Sequence, residues 1–260
     1  MQRDKGTIAV GGREMVLSKN MQKLVAGSST IRKLFEEGIE LAKEVGAENV
    51  YDFSLGNPAA PVPEEVKKSI YDILENRNAN FVHCYMPNAG YPEVREKVAA
   101  NLNKKYNSSF TKDDIIMTVG AAGGINCVLR SLLEPEDEVL CFAPFFGEYN
   151  SYVMNFGGNL KVVPADYETF QLNVEEADKY ITERTKAVII NNPNNPSGVV
   201  YNKETLIRLQ KMLEKAEERI GHPIYVLSDE PYRELVYDGC ELPFALLTTL
   251  PLQNILQWYL

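Results

Sequence analysis

The chain has 260 residues, 45% of them hydrophobic, enough for one large domain, or for one domain and part of another, around a substantial core. Its net charge of −9, with Lys and Arg interspersed among Asp and Glu, argues against general binding to nucleic acid or to an anionic membrane, while leaving local phosphate binding open. Four cysteines (Cys84, Cys127, Cys141, Cys240) lie far apart with no CxxC, and only His83 and His222 could join them, so neither a zinc site nor a disulfide framework is indicated.

A reduced, cytoplasmic compartment fits such cysteine usage. No apolar run approaches the ~18 residues of a membrane span, and no signal-peptide core opens the chain. Residues 1–14, MQRDKGTIAVGGRE, show no clear helical or strand period. Gly-Gly-Arg-Glu ahead of Met15 is encodable by a purine-rich run like a bacterial ribosome-binding site, so translation is expected to start at Met15, with residues 1–14 a non-native or disordered leader.

From residue 29 to 45, Ile31, Leu34, Phe35, Ile39, Leu41 and Val45 fall near helical spacing, with Ser29 or Thr30 as cap and Gly46 as stop. Residues 50–55 read as extended, entering a turn at Gly56-Asn57-Pro58. Pro61 and Pro63 open a helix over 64–74 with acidic residues in its first turn, where the helix dipole favours them. A further helix starts at Pro92 and runs through Val94, Val98 and Leu102 toward Tyr106.

The middle of the chain alternates. Residues 115–119 are apolar and β-branched, followed by Gly120-Ala121-Ala122-Gly123-Gly124 and a helix carrying Ile125, Val128, Leu129 and Leu132. Strands are predicted over 139–143, 160–163, 187–190 and 225–227, with a long amphipathic helix over 203–220. Alternation of this kind predicts an α/β fold with a largely parallel sheet covered on both faces. The last twenty residues, ELPFALLTTLPLQNILQWYL, hold no Lys or Arg and read like an interrupted domain.

Four stretches carry candidate chemistry, each with a bland alternative. YVLSDEPY, residues 225–232, delivers Asp229 to the carboxyl end of a strand, where it either caps the next element or meets a cationic ligand group. Small residues between a strand and a helix at 120–124 present unpaired backbone N–H groups suited to phosphate, or merely make a tight turn. NNPNNPSG, residues 191–198, demands a fixed turn and could hold an Asn beside a ligand. Pro144-Phe145-Phe146 offers a flat apolar face, as core or as a platform for a ring. Tyr85, in HCYMPNAGYPEVR, is open in the same way. Taken together, a phosphate nest, an aromatic face, an amide and a carboxylate at one sheet edge suit an anionic aromatic cofactor with a basic ring nitrogen.

SLGNP, YMPNAGYPEVR, TVGAAGG, APFFGEY, NNPNNPSG and SDEPYRELVY, in this order and spacing, resemble the class I/II aminotransferases among the fold type I pyridoxal-phosphate (PLP) enzymes, from about residue 30 to 239. The resemblance implies a three-layer αβα large domain with a mostly parallel sheet, incomplete at the C-terminus and spanning 61–260. An N-terminal arm and part of a small domain would occupy 15–60. It implies PLP as cofactor, an amino acid and a 2-oxo acid as substrates, and a homodimer. Asp229 would pair with the pyridine nitrogen, Tyr232 and Asn195 would bond the ring oxygen, and Phe146 would stack on the ring. The N–H groups of Ala121 and Ala122 would hold the phosphate, and Tyr85 would reach the neighbouring subunit's cofactor phosphate. Gly56, and Asn195 again, would lie near the substrate.

Departures from the family pattern are equally specific. The family's Schiff-base lysine follows the aspartate, whereas the last lysine here is Lys215, and the SxSK segment and downstream arginines are absent. A truncated or frameshifted frame is expected, with no catalytic residue of the Schiff-base kind in this chain. Residues 115–119 are expected to lose their ladder partners, leaving the chain poorly soluble or partly folded. On the same fold, a carbon–sulfur lyase, a ring-forming synthase or a non-catalytic cofactor-binding fragment stand as alternatives.

Overall fold

A computed structural model describes residues 7–10, 13–16, 18, 21–22, 30–51, 56, 60–237, 239–245 and 255–258. The chain divides into two units, residues 1–85 and 86–260.

In the first unit, β1 (Thr7–Val10) and β2 (Arg13–Val16) pair antiparallel, Thr7 opposite Val16 and Val10 opposite Arg13. Each arm is four residues, too short to display a period in the sequence, while Gly-Gly between two short runs favours a hairpin. Helix α1 (Thr30–Val45) ends at Gly46 as its spacing predicts. Helix α2 (Glu64–Asn76) follows Pro63 at its N-cap, with Glu64 and Glu65 in the first turn, and runs two residues past the expected end. A short α3 (Ala79–Val82) is capped by the Asn78 side chain. The expected strand at 50–55 and the turn after Gly56 lie largely outside the described residues, as does the Ser29 cap.

In the second unit, α4 (Pro92–Tyr106), α5 (Gly120–Leu132), β3 (Glu138–Phe142), α6 (Glu148–Met154) and β4 (Asn159–Val163) are followed by α7 (Val174–Ala177), β5 (Thr185–Asn191), α8 (Lys203–Ile220), β6 (Tyr225–Asp229) and β7 (Ile255–Trp258). The five strands form one sheet in the order β4-β3-β5-β6-β7, every neighbouring pair parallel. Side chains alternate between its faces with the strand period of two. Leu140, Phe142, Val188, Ile190 and Val226 pack with Leu206, Leu209 and Leu213 of α8 on one side. Val139, Cys141, Ala187, Ile189 and Leu227 pack with Ile125 and Leu129 of α5 and with Tyr149 and Val153 of α6 on the other. Fully burying each such leucine stabilises the fold by roughly 2 kcal/mol, so this double cover fixes the sheet as the rigid base of everything at its edge.

Two expectations are corrected. Residues 115–119 form no strand. They follow a 3₁₀ turn (Lys112–Asp114), have no ladder partner among the described residues, and leave Ile116 70% and Val119 95% exposed. β propensity alone does not make a strand when no neighbour supplies hydrogen bonds. The small residues 120–124 are not a loop but the first turns of α5, which begins at Gly120 (φ 67°). The tail also contributes a strand, β7, with Val226 beside Ile255 and Asp229 beside Trp258.

Candidate functional site

In a parallel sheet all carboxyl ends point one way, and β3, β5 and β6 deliver the loops behind them to one edge. There Asn191 ends β5 and Asp229 ends β6, adjacent across the ladder. The amide Nδ2 of Asn191 donates to the Asp229 carbonyl at 2.8 Å, and the Asn192 N–H donates to the same oxygen at 3.1 Å. The main chain beneath Asp229 is therefore fixed from the neighbouring strand.

NNPNNPSG uses each asparagine differently. Asn191 Oδ1 accepts from the Asn195 N–H at 2.6 Å, Asn192 Oδ1 accepts from the Tyr201 N–H at 2.8 Å, and Asn194 Oδ1 accepts from Ser197. Asn194 Nδ2 also donates to the Pro144 carbonyl, tying this turn to the loop that carries Phe146. What remains for Asn195 is its own amide, which donates to the Tyr232 hydroxyl at 3.1 Å. That phenol accepts from Asn195, so its own proton is available to an oxygen in the site.

A cavity of about 220 Å³ opens at this edge. Ala121, Ala122, Phe146, Asn195, Asp229 and Tyr232, all singled out from sequence, line it together. Gly56 and Tyr85 belong to the first unit and are not among its lining residues; Tyr85 is fully exposed. Ile125, Tyr152, Asn191 and Pro231 also line it, and none of them was given a site role from the sequence. For Asn191 the signal was present, a polar residue ending an apolar strand run. For Tyr152 it was not, since nothing but the start and phase of α6 turns that side chain inward.

The chemistry of the walls is uneven. The first-turn N–H groups of α5 have no intrahelical partners and no side chain caps them, so they present the positive end of the helix dipole, an anion-binding arrangement. Asp229 is 7% exposed; burial pushes its carboxyl above the usual range, while a hydrogen bond from Tyr149, 2.6 Å to Oδ2, pulls it back. Its other oxygen, Oδ1, is buried with no partner among the described residues. A buried carboxylate oxygen left bare is costly unless something cationic meets it. Behind Asp229, the Glu230 carboxylate is 1% exposed and accepts from Ser228 Oγ at 2.6 Å and from Arg233 Nε at 2.5 Å. Arg233 continues to the Pro243 carbonyl at 2.6 Å and lies over the stacked rings of Tyr106 and Phe244, which pins the chain beyond the site.

Among the described residues no cluster of His, Cys, Asp or Glu is placed to hold a metal ion, and no helix is long and apolar enough to cross a membrane. The walls can hold an anion at one end, a flat ring against Phe146, and an N–H cation at Asp229.

The family profile for "Aminotransferase class I and II" matches residues 47–252. "Aromatic-amino-acid aminotransferase 2" of Thermococcus litoralis is 36% identical over 228 residues, 86% of this chain and 54% of its own length. "Aspartate aminotransferase" of Pyrococcus abyssi is 35% identical over 212 residues, 81% of this chain and 50% of its own. Among solved structures, an amino transferase from Eubacterium rectale superposes with a TM-score of 0.87 at 41% identity, covering 94% of this chain and 61% of that one. The Thermus thermophilus aspartate aminotransferase crystallised with maleate gives 0.78 at 29% identity, covering 94% and 59%. The chain thus spans about half the length of the curated relatives it matches.

Proposed function

The chain belongs to the class I and II aminotransferases, and from that premise we propose that it forms the cofactor-holding part of a PLP-dependent enzyme moving an amino group from an amino acid to a 2-oxo acid. The observation that carries this reading is the bare Oδ1 of Asp229, in a cavity that also holds the uncapped start of α5 and the ring of Phe146.

Those residues fit PLP. Ala121 and Ala122 would hold its phosphate through backbone N–H groups, Phe146 would lie against its ring, and Asp229 would pair with its ring N–H. Asn195 and Tyr232 would bond its ring oxygen, Tyr232 with the proton that its bond to Asn195 leaves free. When bound, PLP supplies an electron sink for the pair left at an amino acid's Cα as its proton departs. Asp229 would serve that sink by pairing, as a carboxylate, with the ring nitrogen and favouring its protonated form. Asn195 would also touch substrate, Gly56 would lie near its α-carboxylate, and Tyr85 would reach the cofactor phosphate of a second subunit. The assembly would be a cytoplasmic homodimer working in amino-acid biosynthesis, and the exposed apolar residues of α2 (Val66, Ile70, Tyr71, Leu74) support a covered surface. Residues 15–60 would supply the arm and part of a small domain, and 61–260 the large domain.

Because the last lysine of these 260 residues, Lys215, precedes Asp229, they would bind PLP without the family's Schiff base. Fluorescence titration of the 260-residue chain with PLP tests the reading. Saturable binding is expected, weakened roughly 30- to 100-fold in Asp229→Ala, the size of one lost charge-assisted hydrogen bond. Equal affinity in the variant would contradict it.

A further inference from the structure

Asp229 is held from two directions. Its carbonyl is pinned by Asn191 and Asn192 of the β5 edge, and its carboxylate is met from α6 by the hydroxyl of Tyr149, 2.6 Å from Oδ2. Tyr149 is 1% exposed and packed on the sheet. Its ring also stands edge-on to Phe146, with centroids 5.7 Å apart and planes at 83°. One side chain therefore touches both the carboxylate and the aromatic wall of the cavity, and it leaves one carboxylate oxygen satisfied and the other bare.

We propose that Tyr149 is a positioning residue for cofactor recognition: by donating to Oδ2 it selects Oδ1 as the oxygen presented to a cationic ring N–H, and its ring edge sets Phe146 against the same ring. This deepens the PLP reading and rests on it.

The chemistry of the phenol suits the task. Burial, and then the adjacent Asp229 carboxylate, drive its proton affinity well above the usual range, so it remains a donor at any physiological pH. A carboxylate that accepts a hydrogen bond favours its charged form, and the charged form is the one that pairs with a protonated ring nitrogen. Without this donor Asp229 would be both freer to rotate and easier to protonate. Either change weakens contact with the nitrogen while leaving the phosphate end at α5 untouched.

The test separates the hydroxyl from the ring and the nitrogen contact from the rest of the site. Dissociation constants are measured for the 260-residue chain and for Tyr149→Phe with two probes. One is PLP. The other is 1-deazapyridoxal 5′-phosphate, which keeps the phosphate, ring face and ring oxygen but carries C–H in place of the nitrogen. Tyr149→Phe is expected to lower PLP affinity about tenfold while changing affinity for the deaza probe less than twofold. Equal loss of both probes would make Tyr149 a packing residue only and overturn the proposal, as would unchanged PLP affinity. If the wild-type chain bound both probes alike, with Asp229→Ala also without effect, the cofactor reading itself would fall and this proposal with it.

Discussion

At the scale of single residues, burial sets the charge states behind the site. Glu230 is enclosed almost completely, and burial pushes its carboxyl up to about 6 against the pull of Arg233 and Ser228. The folded protein thus holds this proton more tightly than the unfolded chain, whose value is near 4.5. The stability Glu230 contributes is full below that lower value and is lost as pH rises through about 6, a change of about 2 kcal/mol. Urea denaturation between pH 4 and 7 reads it directly: wild-type stability relative to Glu230→Gln should fall by about that amount across the interval, and parallel profiles would contradict the assignment. Asp229, the turn at 191–198 and Phe146 were visible in the sequence because each stands at or just past the end of an apolar strand run, whereas Asn195 and Tyr232 took their roles from the resemblance to the aminotransferases. Tyr149 was not visible, since its value lies in a contact made 80 residues away in the chain.

At the scale of elements, the approach to α5 depends on a close contact. Gly90 has φ 93°, and a Cβ placed there would lie 2.6 Å from Met117 Cγ and 2.7 Å from its Cβ. The adjacent Met117 N–H donates to the Ala89 carbonyl. Gly198 also has a positive φ, 73°, but open space around it. Gly198→Ala should therefore cost only backbone strain, about 1 kcal/mol. Gly90→Ala should cost roughly twice that or more, since Met117 must move as well. Equal unfolding free energies for the two variants would show that the contact yields freely. Helix α8 was legible because Asn202 and Gly221 bracket it as cap and left-handed stop. The misplaced start of α5 and the missing strand at 115–119 have one cause: whether an extended apolar run joins a sheet depends on a partner strand, which local sequence does not contain. The converse holds for β7, whose strand identity comes from the β6 edge it pairs with.

At the scale of the whole molecule, the sheet is the frame and its carboxyl edge carries the candidate site. The parallel order β4-β3-β5-β6-β7 places the last residues of β5 and β6 side by side, and α5 and α6, packed on one face, bring their first turns to the same edge. The α/β class and doubly covered sheet were readable from the alternation of strand and helix periods. The five-stranded order was not, because crossovers leave no local trace in the sequence. A crystal structure of the 260-residue chain soaked with PLP tests the central claim most directly. The phosphate is expected at the amino end of α5, the ring against Phe146, and the ring nitrogen within hydrogen-bonding distance of Asp229 Oδ1. A ring turned with its nitrogen away from Asp229, or PLP bound at another place on the molecule, would contradict it.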